Sequence, residues 1–207
     1  MSCAAVIACK GIATAKSRLA GVLSPMVRAR LVEVMLAQVI QAAQSALRIS
    51  EIIVVSPTLS KAVESGSVAA VIDSAQGLSA AFECGALRAL AFRHRSVLLL
   101  PADLALVTAE DLDAMIALGS EAGAAFAPNT IGVGTNALYL PLPLPIRLAF
   151  GTCSCARHAA ACRACGYVPA IIERTRLALD IDAPADLERL RDVPQYSFLN
   201  ESAQAVA

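Results

Sequence analysis

Apolar residues along this chain fall into short unbroken runs separated by stretches of helical spacing. Residues 4–8, 51–55 and 68–72 predict short strands, and the uninterrupted run from Ser96, stopped by turn chemistry at Pro101, predicts a strand buried on both faces. Between them, Ser24 and Pro25 stand as N-cap and first helical position, and Val27, Leu31, Val34, Met35, Val39 and Ala42 recur at helical spacing to about Leu47. A short helix over 61–64, a turn over 74–77 and a helix over 78–92 complete a β-α-β-α-β-α-β order. That order predicts a mostly parallel sheet with right-handed crossovers and helices on both faces, an α/β fold. Thr108 then caps a helix to about Leu118, with Asp111 in the capping-box position.

After Gly119 the texture changes. Strands are expected at 124–127 and 136–140 around a glycine-rich turn at 130–134, then a Pro-rich connector and a helix over 154–165. Strands at 167–172 and 177–181 and a short helix over 184–191 follow. The polar, small-residue end from Gln195 is expected to be unstructured. Together these place a single domain over 1–191 and a flexible tail over 192–207.

Composition removes several function classes. Hydrophobic residues reach 57%, but the uncharged stretch 122–146 is broken by Pro128, Gly132, Gly134, Pro141, Pro143 and Pro145 and cannot form a spanning helix. The formal net charge of +0 leaves no basic excess for nucleic acid or an anionic membrane. No basic region precedes the first apolar run, so a cytoplasmic protein is expected. Seven cysteines without a regular framework fit reduced thiols. Cys155, His158, Cys162 and Cys165 extend over too much of one helix for one zinc ion, since Cys155 and Cys162 are roughly 10 Å apart along its axis. Small core-facing residues are the simpler reading.

The candidate chemistry gathers at strand ends. Asp103 follows the Ser96 run at the carboxyl edge, where α/β sheets bind ligands, although a turn-forming aspartate after Pro101 is the ordinary alternative. Asp180 and Asp182 lie two apart in an extended segment, so both face one way while Ile181 faces the core. Two such carboxylates repel unless a cation lies between them, and a few carboxylates plus substrate phosphates is the usual way of holding Mg²⁺. A helix cap by Asp182 is the alternative. Lys10, Lys16 and Arg18, in the loop after the first strand, suit a di- or triphosphate. Their sequence matches neither G-x-G-x-x-G nor the Walker pattern. Gly134, Thr135 and Asn136, with Gly151, Thr152, Ser154, Arg157 and His158, offer donors for a second anion, or ordinary turn and cap chemistry.

Eight segments in order resemble one family. They are A-K-S-R-L (15–19), L-S-P-x-x-R (23–28), V-V-S (54–56), G-L-S-A-A (77–81), L-P-A-D-L (100–104), G-T-N-A-L (134–138), F-G-x-x-S-x-x-R-H (150–158) and D-I-D-x-P-x-D-L (180–187). The chain resembles the CofC/FbiD guanylyltransferases of deazaflavin coenzyme F-420 biosynthesis. The resemblance implies a Rossmann-like, three-layer nucleotidyltransferase fold related to molybdenum-cofactor guanylyltransferases. It also implies the reaction: GTP joined to a small phospho-acid with release of pyrophosphate. It assigns Lys16 and Asp103 to catalysis, and Asp103, Asp180 and Asp182 to Mg²⁺. It places Lys16 and Arg18 in the phosphate-contacting loop and Thr135, Gly151 and Ser154 on the acceptor side; Lys10, Ser56, Gly77 and Leu78 are also expected at the nucleotide, and His158 at the acceptor, although a lone helical histidine is more often packed or solvated.

The pattern departs from the family at Cys9, Ser79, Ala105, Thr152 and Cys155. Cys155, in place of an aromatic residue, is expected to leave room beside the acceptor, which favours 3-phospho-D-glycerate over phosphoenolpyruvate and 2-phospho-L-lactate. A downstream coenzyme F-420 transferase and a homodimer are compatible partners. The competing readings are a molybdopterin or sugar-1-phosphate nucleotidyltransferase, whose glycine-rich opening is missing here, and an inactive nucleotide-binding scaffold. Retention of Lys16, Asp103, Asp180 and Asp182 argues against the scaffold.

Overall fold

The computed structural model describes residues 2–11, 16–58, 63, 68–72 and 77–200. One seven-stranded sheet organises them: β1 (Cys3–Ala8), β2 (Ile49–Ser56), β3 (Ala69–Ile72), β4 (Ser96–Pro101), β5 (Ala125–Pro128), β6 (Thr135–Pro141) and β7 (Ala170–Ile171), in the order β3-β2-β1-β4-β6-β5-β7. β1, β2, β3 and β4 pair in parallel, β6 runs antiparallel to β4 and β5, and β7 is parallel to β5.

The Ser96 run is buried on both faces as expected, whereas β3, at the sheet edge, is only half-buried. Cys3, Ala5 and Ile7 of β1 pack on one face with Leu98 and Leu100 of β4, while Ala4 and Val6 pack on the other with Val97 and Leu99. The first face is covered by α1 (Pro25–Ser45) and α3 (Ala109–Ala122), the second by α2 (Leu78–Ala91) and α4 (Ser154–Ala164). Two glycines set how closely helices approach. A Cβ on Gly85 of α2 would lie 2.2 Å from Val6 Cγ1, and one on Gly119 of α3 would lie 2.3 Å from Tyr139 Cδ1. Both expected caps form: Ser24 Oγ accepts from Val27 N–H, and Thr108 and Asp111 close a capping box. Among the described residues, no helix is long and apolar enough to cross a membrane.

Three expectations are corrected. Residues 177–181 are not a strand: α5 (Thr175–Ala178) is followed by an extended segment whose polar groups are satisfied without a ladder. Asn136 Nδ2 donates to Ala178 O at 2.9 Å, and the N–H groups of Asp182 and Ala183 donate to Asp186 Oδ2. The strand expected at 167–172 shrinks to β7, because Tyr167 N–H is spent on Cys162 O and Pro169 has no N–H to give. The tail is not free from residue 195: Tyr196 is fully buried with its hydroxyl donating to Ala105 O at 2.9 Å, and Phe198 and Leu199 are buried beside it. Apolar residues spaced for a single turn carried this signal. The expected helix at 61–64 and turn at 74–77 lie, apart from Val63 and Gly77, outside the described residues, as do 201–207.

Candidate active site

The parallel topology delivers the ends of β1 and β4 to one edge, and a cavity of about 270 Å³ opens there. Lys10, Lys16, Leu78, Asp103, Thr135, Gly151, Ser154, Asp180 and Asp182 all line it, so residues from six separate stretches of sequence converge as expected.

Lys16 is its centre. The backbone adopts φ 56°, ψ 40° there, an uncommon conformation for a non-glycine residue, and the side chain is only 8% exposed. Its Nζ donates to Asp103 Oδ2 at 2.7 Å and to Asp182 Oδ1 at 2.8 Å. Burial alone would lower the ammonium pKa, but the two carboxylates outweigh it and hold the value above that of an ordinary lysine. Asp182 is pushed up by burial, yet Lys16, followed by Arg18 and Lys10, brings it below the usual carboxylate range. The Lys16 ammonium thus bridges Asp103 and Asp182, not the Asp180 and Asp182 pair between which a cation was expected.

Asp180 differs. Burial and then the nearby Asp103 raise its pKa, and Asn136 Nδ2 at 3.4 Å offsets this only in part. Among the described residues no cation pairs with it. No three of the described His, Cys, Asp or Glu side chains form a ready metal cage. Two facing carboxylates with a charge deficit nevertheless fit a hard cation whose remaining ligands are water and phosphate.

Several of the expected site residues do not line the cavity. Ser56 ends β2 at the right edge but is buried and does not line the cavity. Arg18 is 78% exposed and reaches Asp182 Oδ2 at 3.7 Å rather than the cavity. Gly77 is outside the lining; it lets the chain enter α2 at φ 95°, and Leu78 is the residue that faces in. His158 has no exposed surface and lies behind Thr135, so it cannot touch a ligand. Cys155 also points away: its S–H donates to Gly134 O at 2.8 Å, so it creates no room beside an acceptor. Of the other cysteines on this stretch, Cys162 is buried as expected, but Cys153 and Cys165 are exposed.

Sequence reasoning missed Cys9, Asn129 and Phe150 as lining residues. Cys9 adjoins Lys10 at the end of β1, and burial, with Asp103 beside it, raises its thiol to about 11, which makes it a neutral wall. Asn129 Oδ1 accepts from the N–H groups of Val133 and Gly134, closing the turn ahead of Thr135. Asn136 lines the cavity too, but its amide tethers the Ala178–Asp180 segment rather than facing an acceptor.

This mostly parallel sheet carries its charged residues at one edge, and solved structures share the fold. A protein classed as a nucleotide-diphospho-sugar transferase from Desulfovibrio desulfuricans G20 superposes with a TM-score of 0.75 at 14% identity, over 99% of this chain and 96% of that one. A nucleotidyl transferase from Methanothermobacter thermautotroptrophicus gives 0.64 at 18%, over 96% and 98%. Sequence narrows the class. The family model described as "Guanylyl transferase CofC like" matches residues 3–191. A phosphoenolpyruvate guanylyltransferase of Sphaerobacter thermophilus is 38% identical over 193 residues, 92% of this chain and 93% of the relative. A 3-phospho-D-glycerate guanylyltransferase of Phenylobacterium zucineum is 37% identical over 188 residues, 88% and 86%. The chain belongs to the CofC-like guanylyl transferase family, and it is a nucleotidyltransferase enzyme.

Proposed function

We propose that this enzyme transfers the guanylyl group of GTP to the phosphate of a small phospho-acid. A phosphate oxygen of the acid bonds to the α-phosphorus, the bond from that phosphorus to the β-bridging oxygen breaks, and pyrophosphate leaves. The acceptor is already an anion, so no general base is needed and catalysis is mainly positioning and charge neutralisation. The observation that carries the reading is Lys16 Nζ held between Asp103 and Asp182 in the same cavity as Thr135 and Ser154.

Lys16 and Lys10 offset the charge that builds on the departing pyrophosphate, with Arg18 adding to the local positive field. Thr135 and Ser154 hold the incoming acid. Asp103, Asp180 and Asp182 would hold Mg²⁺, which supplies Lewis-acid neutralisation of the phosphates when bound.

The acid is a three-carbon phospho-carboxylate. The preference for 3-phospho-D-glycerate that rested on Cys155 loses that support, because this thiol faces Gly134. The relatives named above use phosphoenolpyruvate or 3-phospho-D-glycerate at nearly equal identity. The product would feed a transferase of deazaflavin coenzyme synthesis. Mass spectrometry after incubation with GTP, Mg²⁺ and equal amounts of 2-phospho-L-lactate, phosphoenolpyruvate and 3-phospho-D-glycerate tests this. A guanylylated acid is expected; GTP left intact with all three acids would refute it.

A further inference from the structure

The chain places a buried imidazole directly behind the residues that face the second anion, and its two nitrogens are engaged differently. Ser154 opens α4 and accepts Thr135 N–H on its Oγ at 2.8 Å. Four residues on, and so on the same helix face, His158 is fully buried. Ala149 N–H points at Nε2 from 3.0 Å. A backbone N–H can only donate, so Nε2 carries no proton and the neutral ring keeps its proton on Nδ1. Nδ1 lies 3.0 Å from Thr135 Oγ1 and therefore donates to it.

We infer that His158 is a positioning residue that joins the two loops of the acceptor subsite and turns Thr135 into a hydrogen-bond donor toward the bound anion. Having accepted a hydrogen bond from the imidazole, Thr135 Oγ1 directs its own hydrogen elsewhere. Within the protein the alternative is Cys155 Sγ at 3.6 Å, a weak acceptor that a phosphate or carboxylate oxygen outcompetes. The opposite tautomer would spend the threonine proton on the ring and present lone pairs to an anion.

The second loop is fixed by the same ring. Ala149 N–H ends on His158, the next amide, Phe150 N–H, ends on Ser79 Oγ at 3.0 Å, and the Phe150 ring meets the imidazole edge to face at 4.8 Å. Phe150, Gly151 and Thr135 line the cavity from separate segments, and His158 bonds to both. Burial, aided by the Arg157 charge, keeps the ring neutral at working pH, as this role requires.

The inference rests on the guanylyl-transfer reading for the identity of the anion, but not for the hydrogen bonds. The test has two arms. Long-range ¹H–¹⁵N correlation spectra of the free protein at pH 7 should show His158 protonated on Nδ1 and bare on Nε2; an Nε2-protonated ring overturns the inference whatever the enzyme's activity. In kinetics, His158→Asn keeps a donor where Nδ1 stood, whereas His158→Gln keeps only a partner for Ala149. His158→Gln should raise the KM for the phospho-acid about tenfold with the KM for GTP unchanged, His158→Asn should restore it to within about threefold, and adding Thr135→Val to His158→Gln should cost nothing more. Equal losses for both substrates, or multiplicative effects in the double variant, would overturn it. Absence of turnover in the unmodified enzyme would instead count against guanylyl transfer, leaving the spectra to decide the role of His158.

Discussion

Lys16 Nζ and Asp103 Oδ2 lie 2.7 Å apart across 87 positions of sequence, and this pair ties the loop after β1 to the end of β4. Lys16→Met should lower turnover by about 10²–10³, the usual cost of removing one electrostatic contact to a transition state. Asp182 is 45% exposed, so solvent screens the carboxylates left behind and the stability loss should stay near 1 kcal/mol. Steady-state kinetics and thermal melting separate the two effects. Undiminished turnover would remove Lys16 from the reaction.

Asp180 is half-buried near Asp103, with the Asn136 amide the side chain that offsets their repulsion. Asp180→Asn should leave the melting temperature unchanged or raise it, while Mg²⁺-dependent turnover falls at least 100-fold. A lower melting temperature would mean that the carboxylate serves the fold.

Burial, with the neighbouring Arg157, lowers His158 to about 4, against 6.5 for an ordinary imidazole. Between those values the unfolded chain binds a proton that the native ring refuses, so stability falls as pH drops from 6.5 to 4 and levels off below. The shift corresponds to about 3 kcal/mol. Urea unfolding at pH 7 and pH 4.5 should show most of this loss, and His158→Asn, with no group to titrate, should lack it.

Gly85 brings α2 within contact of β1. Gly85→Ala would place Cβ 2.2 Å from a Val6 methyl on a stiff, fully buried β-branched side chain, and should cost about 1–3 kcal/mol in denaturant unfolding. A neutral or stabilising result would show that the layers can part without strain.

The Ser96 strand and the edge it ends on were legible in the sequence because burial on both faces leaves an unbroken apolar pattern. Asp103, Asp180 and Asp182 were legible because strand ends and period-two spacing fix their direction. What escaped depends on partners far along the chain. Whether Leu177 belongs to a strand is decided by Asn136, which claims the Ala178 carbonyl 42 positions away. Whether His158 meets a ligand is decided by Thr135 standing in front of it. Likewise, Tyr196 is held by a carbonyl 91 positions away, and only the apolar spacing of Tyr196, Phe198 and Leu199 marks the segment as packed. Tyr196→Ala should therefore destabilise the protein by about 3–5 kcal/mol, read as a shifted urea midpoint.

Guanylyl transfer to a phospho-acid is tested most directly by following a ³²P label in the α-position of GTP. With Mg²⁺ and phosphoenolpyruvate or 3-phospho-D-glycerate, the label should move into a new acid-linked product in step with release of one unlabelled pyrophosphate, and Asp103→Asn should stop both. Label that stays in GTP with every acid, or pyrophosphate released without a labelled acid, would contradict the account.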